Sequence, residues 1–197
     1  MGHSRAEKAE SRERILGIAA RQIREGGLDS VSIADVMKAA NLTHGGFYGH
    51  FPSRTALIAA ALERALLDGE AASLAASGAK GAPTLKSIAN SYLSPVHRDH
   101  VGEGCAISAL AGDAGRAEPE VRDVMRERLE DYFSRTTAVI GDVPDAEALA
   151  ISSWCTMIGA MMLSRVYKDD PRSDEILRLA RRTVLDLEAR ARETAQT

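Results

Sequence analysis

Apolar residues recur every three or four positions along most of the chain. The first clear series comprises Ile15, Leu16, Ala19 and Ile23. This spacing places the side chains on one face of an α-helix, and the Gly26-Gly27 pair that follows is typical of a helix end. The pattern predicts a first helix from about Ser11 to Glu25, and the strict alternation expected of strands is hard to find in any segment.

Two shorter helical segments follow the first helix. The segment IADVMKAA, residues 33–40, has apolar residues on one face, and Ser32 is suited to cap its N-terminus. Asn41 tolerates the left-handed conformation of a tight turn, and Thr43 is suited to cap a third helix. Three short helices with a tight turn before the last one describe a helix-turn-helix.

The predicted third helix has an unusual composition. Its sequence, LTHGGFYGHF over residues 42–51, contains three glycines, which are poor helix formers. Propensity alone favours a loop. The Thr43 cap and the aromatic anchors Phe47 and Phe51 favour a short helix that depends on packing for its stability.

The rest of the chain also has helical patterns, so the sequence predicts an all-α protein of about nine helices. Ser53 is suited to cap a long helix, Pro119 to start another, and a short helix is expected from about Cys105 to Gly115. Residues 94–104 are predicted to form a loop.

The last two predicted helices, Ala146–Tyr167 and Ser173–Glu193, differ in character. The first is apolar on nearly every side, whereas the second has a single apolar stripe with arginines opposite. A helix that is apolar all round needs a partner beyond its own core, and we expect a second copy of the chain to supply it through a four-helix bundle. The expected contact residues are Met162, Val166, Ile176, Ala180 and Val184.

Composition and charge narrow the function. The 197 residues are 45% hydrophobic and carry a net charge of −3, which argues against a uniformly basic coat for nucleic acid. Residues 1–54, however, hold eight Lys or Arg against six acids. Such an imbalance is expected when only the first quarter of the chain faces a polyanion.

The cysteines and the apolar segments indicate a cytoplasmic protein without a membrane role. Cys105 and Cys155 are far apart, no secretory signal is recognisable, and the apolar stretch from Ile151 to Val166 is interrupted by polar residues. No cofactor is implied. His97, His100 and Cys105 lack a fourth ligand, so we expect no metal site. We also expect no enzyme, because neither a nucleophile elbow nor a phosphate loop occurs.

The segment SIADVMKAANLTHGGFYGHFPSRTALIAAAL, residues 32–62, resembles the TetR family of bacterial transcriptional regulators. The most specific part is THGGFYGHFPSR, and the strong match covers residues 11 to about 66. The resemblance implies a helix-turn-helix DNA-binding domain over residues 1–52 and a helical domain for effector binding and dimerisation over residues 53–197.

The resemblance also implies roles for individual residues. It assigns Leu42, Phe47 and Phe51 to the small core, and it assigns the DNA contacts to Ser32, Thr43, His44, Gly45, Gly46, Tyr48, His50 and Arg54. Ser32 and Arg54, at two helix starts, would bind phosphates. Met37 and Asn41 depart from the family pattern, which favours a small residue and a glycine at these places. We expect these two departures to affect which operator sequence the protein prefers.

A small-molecule pocket is implied among the helices after Ser53. The resemblance favours Met125, Tyr132, Trp154 and Ile158 as lining residues, although the same residues suit a plain core or a dimer contact. Cys105 suits a small residue packed against this pocket. Alternatively, a position in the first turn of a helix would favour its thiolate and make it a target of oxidation or of an electrophile.

These features together predict a homodimeric, ligand-responsive regulator, most simply a repressor, that binds a palindromic double-stranded DNA operator and is released by a small-molecule effector of unknown identity. Two alternatives stay open: a regulator switched by modification of Cys105, and a DNA-binding protein without any effector.

Overall fold

The computed structural model describes residues 5–77, 82–101 and 105–195, and the architecture in these ranges is all-α, as predicted. The elements are α1 (Arg5–Gly26), the 3-10 helix η1 (Leu28–Ser30), α2 (Ile33–Ala39), the 3-10 helix η2 (His44–Gly49), α3 (Arg54–Ser77), α4 (Leu85–Tyr92), α5 (Pro95–Asp99), α6 (Ala106–Ala114), α7 (Pro119–Ile140), α8 (Ala146–Val166) and α9 (Pro171–Thr194).

The chain divides into two compact units. The first contains residues up to Gly69 together with Cys105–Arg126, and the second contains Glu70–Gly104 and Glu127–Thr197. The helices α3 and α7 therefore each contribute residues to both units. This division of the packing differs from the predicted boundary at residue 52, and the functional division into residues 1–52 and 53–197 stays a prediction.

The first unit is built on α1, α2, η2 and the start of α3. Ile15, Ile23, Phe47 and Leu57 are fully buried there. Arg24 is also buried, and its Nη1 donates to the carbonyl oxygen of Ala65 at 3.2 Å, which joins α1 to α3. A buried guanidinium needs such partners because leaving it unpaired would be costly.

The short helix α6 also belongs to the first unit, which the sequence analysis did not anticipate. Oδ2 of Asp113, near the end of α6, accepts a hydrogen bond from the backbone N–H of Leu28 at 3.3 Å. Gly27, beside it, has φ of 85°, and a Cβ on Gly27 would lie 2.7 Å from Asp113 Oδ2. The positive φ therefore favours glycine here, and a Cβ would in addition displace the Asp113 carboxylate that binds Leu28.

The second unit is dominated by the antiparallel pair α8 and α9. Met157 of α8 and Val184 of α9 are fully buried, and Ser173 Oγ donates to the carbonyl oxygen of Ser164 at 2.7 Å. Arginines from this pair also satisfy carbonyl groups near the C-terminal ends of other helices. Arg165 donates to the carbonyl groups of His97 and Arg98, Arg192 to that of Ile140, and Arg181 to that of Leu93.

Several sequence predictions are confirmed locally. Ser32 Oγ accepts from the N–H of Asp35 at 3.4 Å, and Ser53 Oγ accepts from the N–H of Ala56 at 3.0 Å, so both serines cap helices. Asn41 adopts φ of 57°, the left-handed turn conformation that the sequence predicted.

Other local predictions need correction. Part of the predicted loop at residues 94–104 is the helix α5, because Ser94 Oγ caps it by accepting from the N–H of His97 at 3.2 Å; residues 102–104 lie outside the described ranges. The predicted N-terminal cap by Thr43 is wrong as well. Its side chain makes no capping hydrogen bond within the described chain, although its backbone carbonyl begins the next turn.

Among the described residues, α8 is the one helix that is long and apolar enough to cross a membrane. Of its most apolar 18-residue segment, 39% is buried within the chain. Its exposed apolar side chains are Ile151, Met162, Leu163 and Val166. The sequence prediction of a helix with two apolar sides is therefore confirmed, since one side packs in the core and the other is uncovered in the single chain.

Candidate nucleic-acid interface

The glycine-rich segment forms the short helix that the sequence predicted rather than a loop, and this helix, η2, is a 3-10 helix. The N–H of Gly46 donates to the carbonyl of Thr43 at 3.0 Å, and the N–H of His50 donates to that of Phe47 at 2.8 Å. A 3-10 helix of six residues is long for this conformation, whose hydrogen bonds have poorer geometry than those of an α-helix. None of the three glycines of η2 has a positive φ, so this winding does not itself depend on glycine.

Two phenylalanines anchor η2 to the first unit. Phe47 is fully buried and Phe51 is 2% exposed, and their rings stack with centroids 6.0 Å apart. The predicted core role of both residues agrees with this burial. Because η2 has low helix propensity, these two side chains are the main source of its stability.

The side of η2 away from these anchors is open to solvent. Thr43, His44, Gly45 and Tyr48 are all exposed, and Tyr48 retains 70% of its accessible surface. The ring and hydroxyl group of Tyr48 are therefore available for contact with another molecule. The structure thus brings together four of the residues that the sequence assigned to DNA contact.

The glycines of η2 have different surroundings. No described atom would lie within 4 Å of a Cβ on Gly45 or Gly49, so the fold itself does not require glycine at either position. A Cβ on Gly46 would instead contact Thr43 Oγ1 at 3.5 Å and Met37 Cε at 3.7 Å. Gly46 therefore faces α2, whereas Gly45 and Gly49 face the open side.

The remaining predicted DNA residues are partly occupied by the protein itself. His50 is half-buried, and its Nδ1 is inaccessible. The hydroxyl group of Ser32 already caps α2, where it accepts from the N–H of Asp35. Arg54 donates from Nε to the carbonyl of Val31 at 3.1 Å and from Nη2 to that of Asp29 at 3.2 Å, so it braces the segment before α2.

The sequence analysis missed Arg12 of α1. Its guanidinium carbon lies 5.0 Å from the centroid of the Phe51 ring, in the geometry of a cation–π contact. The side chain is exposed and lies at the junction of η2 and α3. The spacing along α1 could have indicated Arg12, because it lies three residues before the buried Ile15 and therefore on the same side of the helix.

The predicted pocket residues fall in both units. Cys105 and Met125 belong to the first unit, whereas Tyr132, Trp154 and Ile158 belong to the second. Tyr132 and Trp154 are in contact, with ring centroids 4.9 Å apart, and Tyr92 meets Trp154 edge to face at 5.2 Å. Trp154 Nε1 donates to Thr136 Oγ1 at 2.8 Å. The pocket as a whole stays a prediction.

The titration of His97 is perturbed in the same unit. Its ring packs edge to face on Tyr92 with centroids 4.6 Å apart, and its Nδ1 lies 2.6 Å from the carbonyl oxygen of Tyr92. Burial lowers the pKa of His97 below its ordinary value, and the positive charge of Arg165 lowers it further. Within the described residues, no group of three His, Cys, Asp or Glu side chains converges as a metal site would require.

The predicted dimer contacts are also divided. Met162 and Val166 are exposed, with Val166 at 77%, and Ile176 is half-buried. Ala180 is 8% exposed and Val184 is fully buried in the core of their own chain. Leu163 and Leu179, which the sequence analysis did not select, are exposed apolar residues on the same two helices.

Comparison with known proteins identifies the chain. Residues 15–61 match the family model described as bacterial regulatory proteins of the tetR family, and residues 81–180 match the model for the tetracycline repressor-like C-terminal domain. The chain belongs to the TetR family. An uncharacterized HTH-type transcriptional regulator of Mycobacterium tuberculosis is 30% identical, with 88% of this chain and 94% of that protein covered.

Solved structures of TetR-family regulators have the same fold. A TetR-family regulator from Cytophaga hutchinsonii superposes with a TM-score of 0.77 at 22% identity, covering 97% of this chain and 98% of that chain. A TetR regulator from Chloroflexus aurantiacus gives a TM-score of 0.72 at 27% identity, covering 91% and 94%. The TetR helix-turn-helix therefore corresponds to the region that contains α2 and η2.

Proposed function

We propose that this TetR-family regulator is a homodimeric repressor that binds a palindromic operator and is released by a small-molecule effector. The observation that carries the proposal is the open face of η2. Thr43, His44 and Tyr48 are exposed beside Gly45, whose backbone no side chain covers. In a helix-turn-helix, such a face is suited to lie in the major groove with polar groups directed at base edges.

DNA binding is tested with the intergenic DNA beside the gene. Fluorescence anisotropy with a labelled duplex, and with a random duplex of equal length, should show tighter binding to the intergenic sequence. His44→Ala should weaken that preference, whereas His100→Ala should leave it unchanged, because His100 is an exposed histidine of the second unit that follows α5. Equal binding to both duplexes by the wild-type protein would contradict operator recognition.

Dimerisation is supported by the uncovered side of α8. Ile151, Met162, Leu163 and Val166 expose apolar surface that a second copy would bury through a four-helix bundle. Light scattering should give a dimer for the wild type and a shift toward monomer for Val166→Glu. Leu67→Glu is the matched control, because Leu67 is a 46% exposed apolar residue of α3 in the first unit and belongs to neither α8 nor α9. A monomeric wild type would refute this part of the proposal.

Effector binding is supported by the aromatic cluster of Tyr92, Tyr132 and Trp154, in a chain where aromatic residues make up only 4% of the sequence. Flat apolar rings beside hydroxyl groups suit a largely apolar small molecule. Trp154 is the sole tryptophan, so its fluorescence reports on this cluster. A compound from a thermal-shift screen should change that fluorescence and release the operator duplex. Release without any change at Trp154 would place the effector elsewhere.

The coupling we propose is a two-state equilibrium. An effector shifts the dimer away from the DNA-binding state by no more than its difference in affinity for the two states. The helix α3 begins next to η2, and at its other end Glu70 is bound by Arg128 at 3.2 Å and by Arg135, both from α7. We therefore assign α3 as the element whose position the effector changes.

A switch through Cys105 is the second candidate. Cys105 is the N-cap residue of α6, is partly exposed, and is in no disulfide among the described residues. Asp113 at the other end of α6 accepts a hydrogen bond from the N–H of Leu28, so a shift of α6 caused by modification of Cys105 would also move the segment that precedes α2. Peroxide or a quinone should then release the operator from wild type but not from Cys105→Ser. Equal release from both proteins would eliminate this candidate.

We also propose that the protein acts in the cytoplasm, where its DNA target lies, and that it is not an enzyme. Its curated relatives are described as transcriptional regulators, which agrees with this class.

A further inference from the structure

The first two turns of α1 extend beyond the packed part of the first unit. From Arg5 to Glu10 every residue is exposed, whereas Ile15, Ala19 and Ile23 are fully buried. A helix of this length is not needed to build the core. The side chains of these overhanging turns therefore have no role in packing the first unit.

The overhanging turns carry a basic face, which we define as Arg5, Lys8 and Arg12. Their spacing of three and four residues continues directly into Ile15 and Ala19, so the basic face and the buried face share one side of α1. The overhang thus points these cations toward the same side on which the rest of α1 packs against the helix-turn-helix.

Glu10 and Glu13 lie on other sides of α1 and have cationic partners of their own. Glu10 pairs with Arg14 at 3.7 Å, and Glu13 pairs with Arg64 at 2.6 Å. In contrast, Arg5, Lys8 and Arg12 form no ion pair within residues 5–77, 82–101 and 105–195. Three cations on one face, separated from the neighbouring acids, form a surface that is suited to an anionic partner.

Contact with the recognition element fixes the position of this face. The guanidinium of Arg12 lies over the ring of Phe51, which stacks on Phe47, the anchor of η2. Phe51 immediately precedes the Pro52-Ser53 start of α3. The basic face therefore begins at the edge of η2 and extends away from it along α1.

We propose that Arg5, Lys8 and Arg12 bind backbone phosphates of double-stranded DNA beside the bases that η2 reads. The inference rests on the proposed DNA-binding function. Arg5 and Arg12 are separated by about 10 Å along the helix axis. Each strand of B-DNA carries one phosphate per about 3.4 Å of duplex axis, so side chains spread over this length can reach more than one phosphate. Such contacts position the protein and carry no sequence information.

The test compares two variants with the same change of net charge. Arg5→Gln/Lys8→Gln/Arg12→Gln neutralises the basic face. Arg14→Gln/Arg21→Gln/Arg126→Gln neutralises three exposed arginines of the same unit that pair with Glu10, Glu25 and Asp123. Affinity for the intergenic duplex and for a random duplex is measured by anisotropy from 50 to 200 mM KCl.

The logarithm of the binding constant falls linearly with the logarithm of the salt concentration, and we call the steepness of this fall the salt slope. Each lost phosphate contact should reduce the salt slope by about 0.9, so the loss of affinity between 50 and 200 mM KCl should be about 3.5-fold smaller than for the wild type. We expect the basic-face variant to lose slope on both duplexes and the control variant to keep the wild-type slope. Arg5→Gln/Lys8→Gln, which leaves Arg12 on Phe51, should lose part of the slope with no change in melting temperature. Equal slopes in the basic-face and control variants would overturn this inference alone. A wild type that binds neither duplex would overturn the proposed function as well.

Discussion

The proposed recognition helix η2 and the pair α8–α9 are held in the fold in different ways. η2 has six residues, three of them glycines, and depends on Phe47 and the adjacent Phe51 for its attachment. The helices α8 and α9 have 21 and 24 residues and are joined by buried apolar contacts and hydrogen bonds along their length. The comparison shows that η2, the segment with the least internal support, is also the one whose surface is open for the DNA contact that we propose.

The largest effect is expected from removal of the η2 anchor. Phe47→Ala should cost about 3–5 kcal/mol, the usual range for a fully buried phenylalanine, because it leaves a cavity beneath a segment with no other strong support. Chemical denaturation followed by circular dichroism measures the loss. Tyr48→Ala is the matched control, since it removes a 70% exposed ring and should weaken DNA binding with little change in stability. Similar stabilities for the two variants would contradict the assigned anchor.

A comparable but more distributed effect is expected in α9. Leu177 is 1% exposed, and Leu177→Ala should lower the free energy of unfolding by about 2–5 kcal/mol. Leu179 is 45% exposed on the same helix, so Leu179→Ala should mainly weaken dimerisation. Denaturant midpoints at two protein concentrations distinguish these effects. A larger stability loss for Leu179 than for Leu177 in the monomer would reverse the assignment.

The glycines of η2 should produce a smaller effect of opposite sign. Gly45→Ala and Gly46→Ala should each raise stability by up to about 1 kcal/mol, because alanine restricts the unfolded chain and neither position has positive φ. Only Gly45→Ala places its methyl group on the open face, so we expect it to impair DNA binding more than Gly46→Ala. Anisotropy and thermal denaturation of both variants provide the test. Unchanged DNA affinity in Gly45→Ala would show that clearance is not the role of this glycine.

The smallest effect concerns His97 in the second unit. Its pKa in the folded protein is below the unfolded value of about 6.5, so the unfolded state binds the proton more readily. Stability should therefore fall as pH drops from about 6.5 toward the lower folded value, and level off below it. His97→Gln should have a weaker pH dependence over this window, measured by denaturation at pH 7 and pH 5. An identical pH dependence in both proteins would exclude His97 as its source.

The helical pattern predicted the elements well where local signals are strong. The caps at Ser32 and Ser53, the left-handed Asn41, and the buried Phe47 and Phe51 follow from residue type and spacing. The predictions were less successful where competing interactions decide the outcome. A Thr43 cap is plausible by residue type, but in η2 the Thr43 side chain makes no capping hydrogen bond, and its backbone carbonyl accepts from the N–H of Gly46 instead.

The candidate DNA surface shows the same limit at the level of single residues. Sequence matching selected Gly45, Gly46 and Arg54 together, yet their environments differ. Gly45 is open, Gly46 faces Met37, and Arg54 donates to the backbone of Asp29 and Val31. Residue type indicated that all three belonged near the DNA, whereas their individual orientations depend on packing.

The amino-acid sequence by itself determined the all-α class, the helix-turn-helix and the TetR-family resemblance, because these depend on local periodicity, caps and a contiguous motif. Tertiary structure alone decided that η2 is a 3-10 helix, that α6 joins the first unit through Asp113, and that Val184 is core while Val166 is surface. The physical reason is distance along the chain. Asp113 and Leu28 are 85 residues apart, and only the folded packing of α6 brings their atoms together.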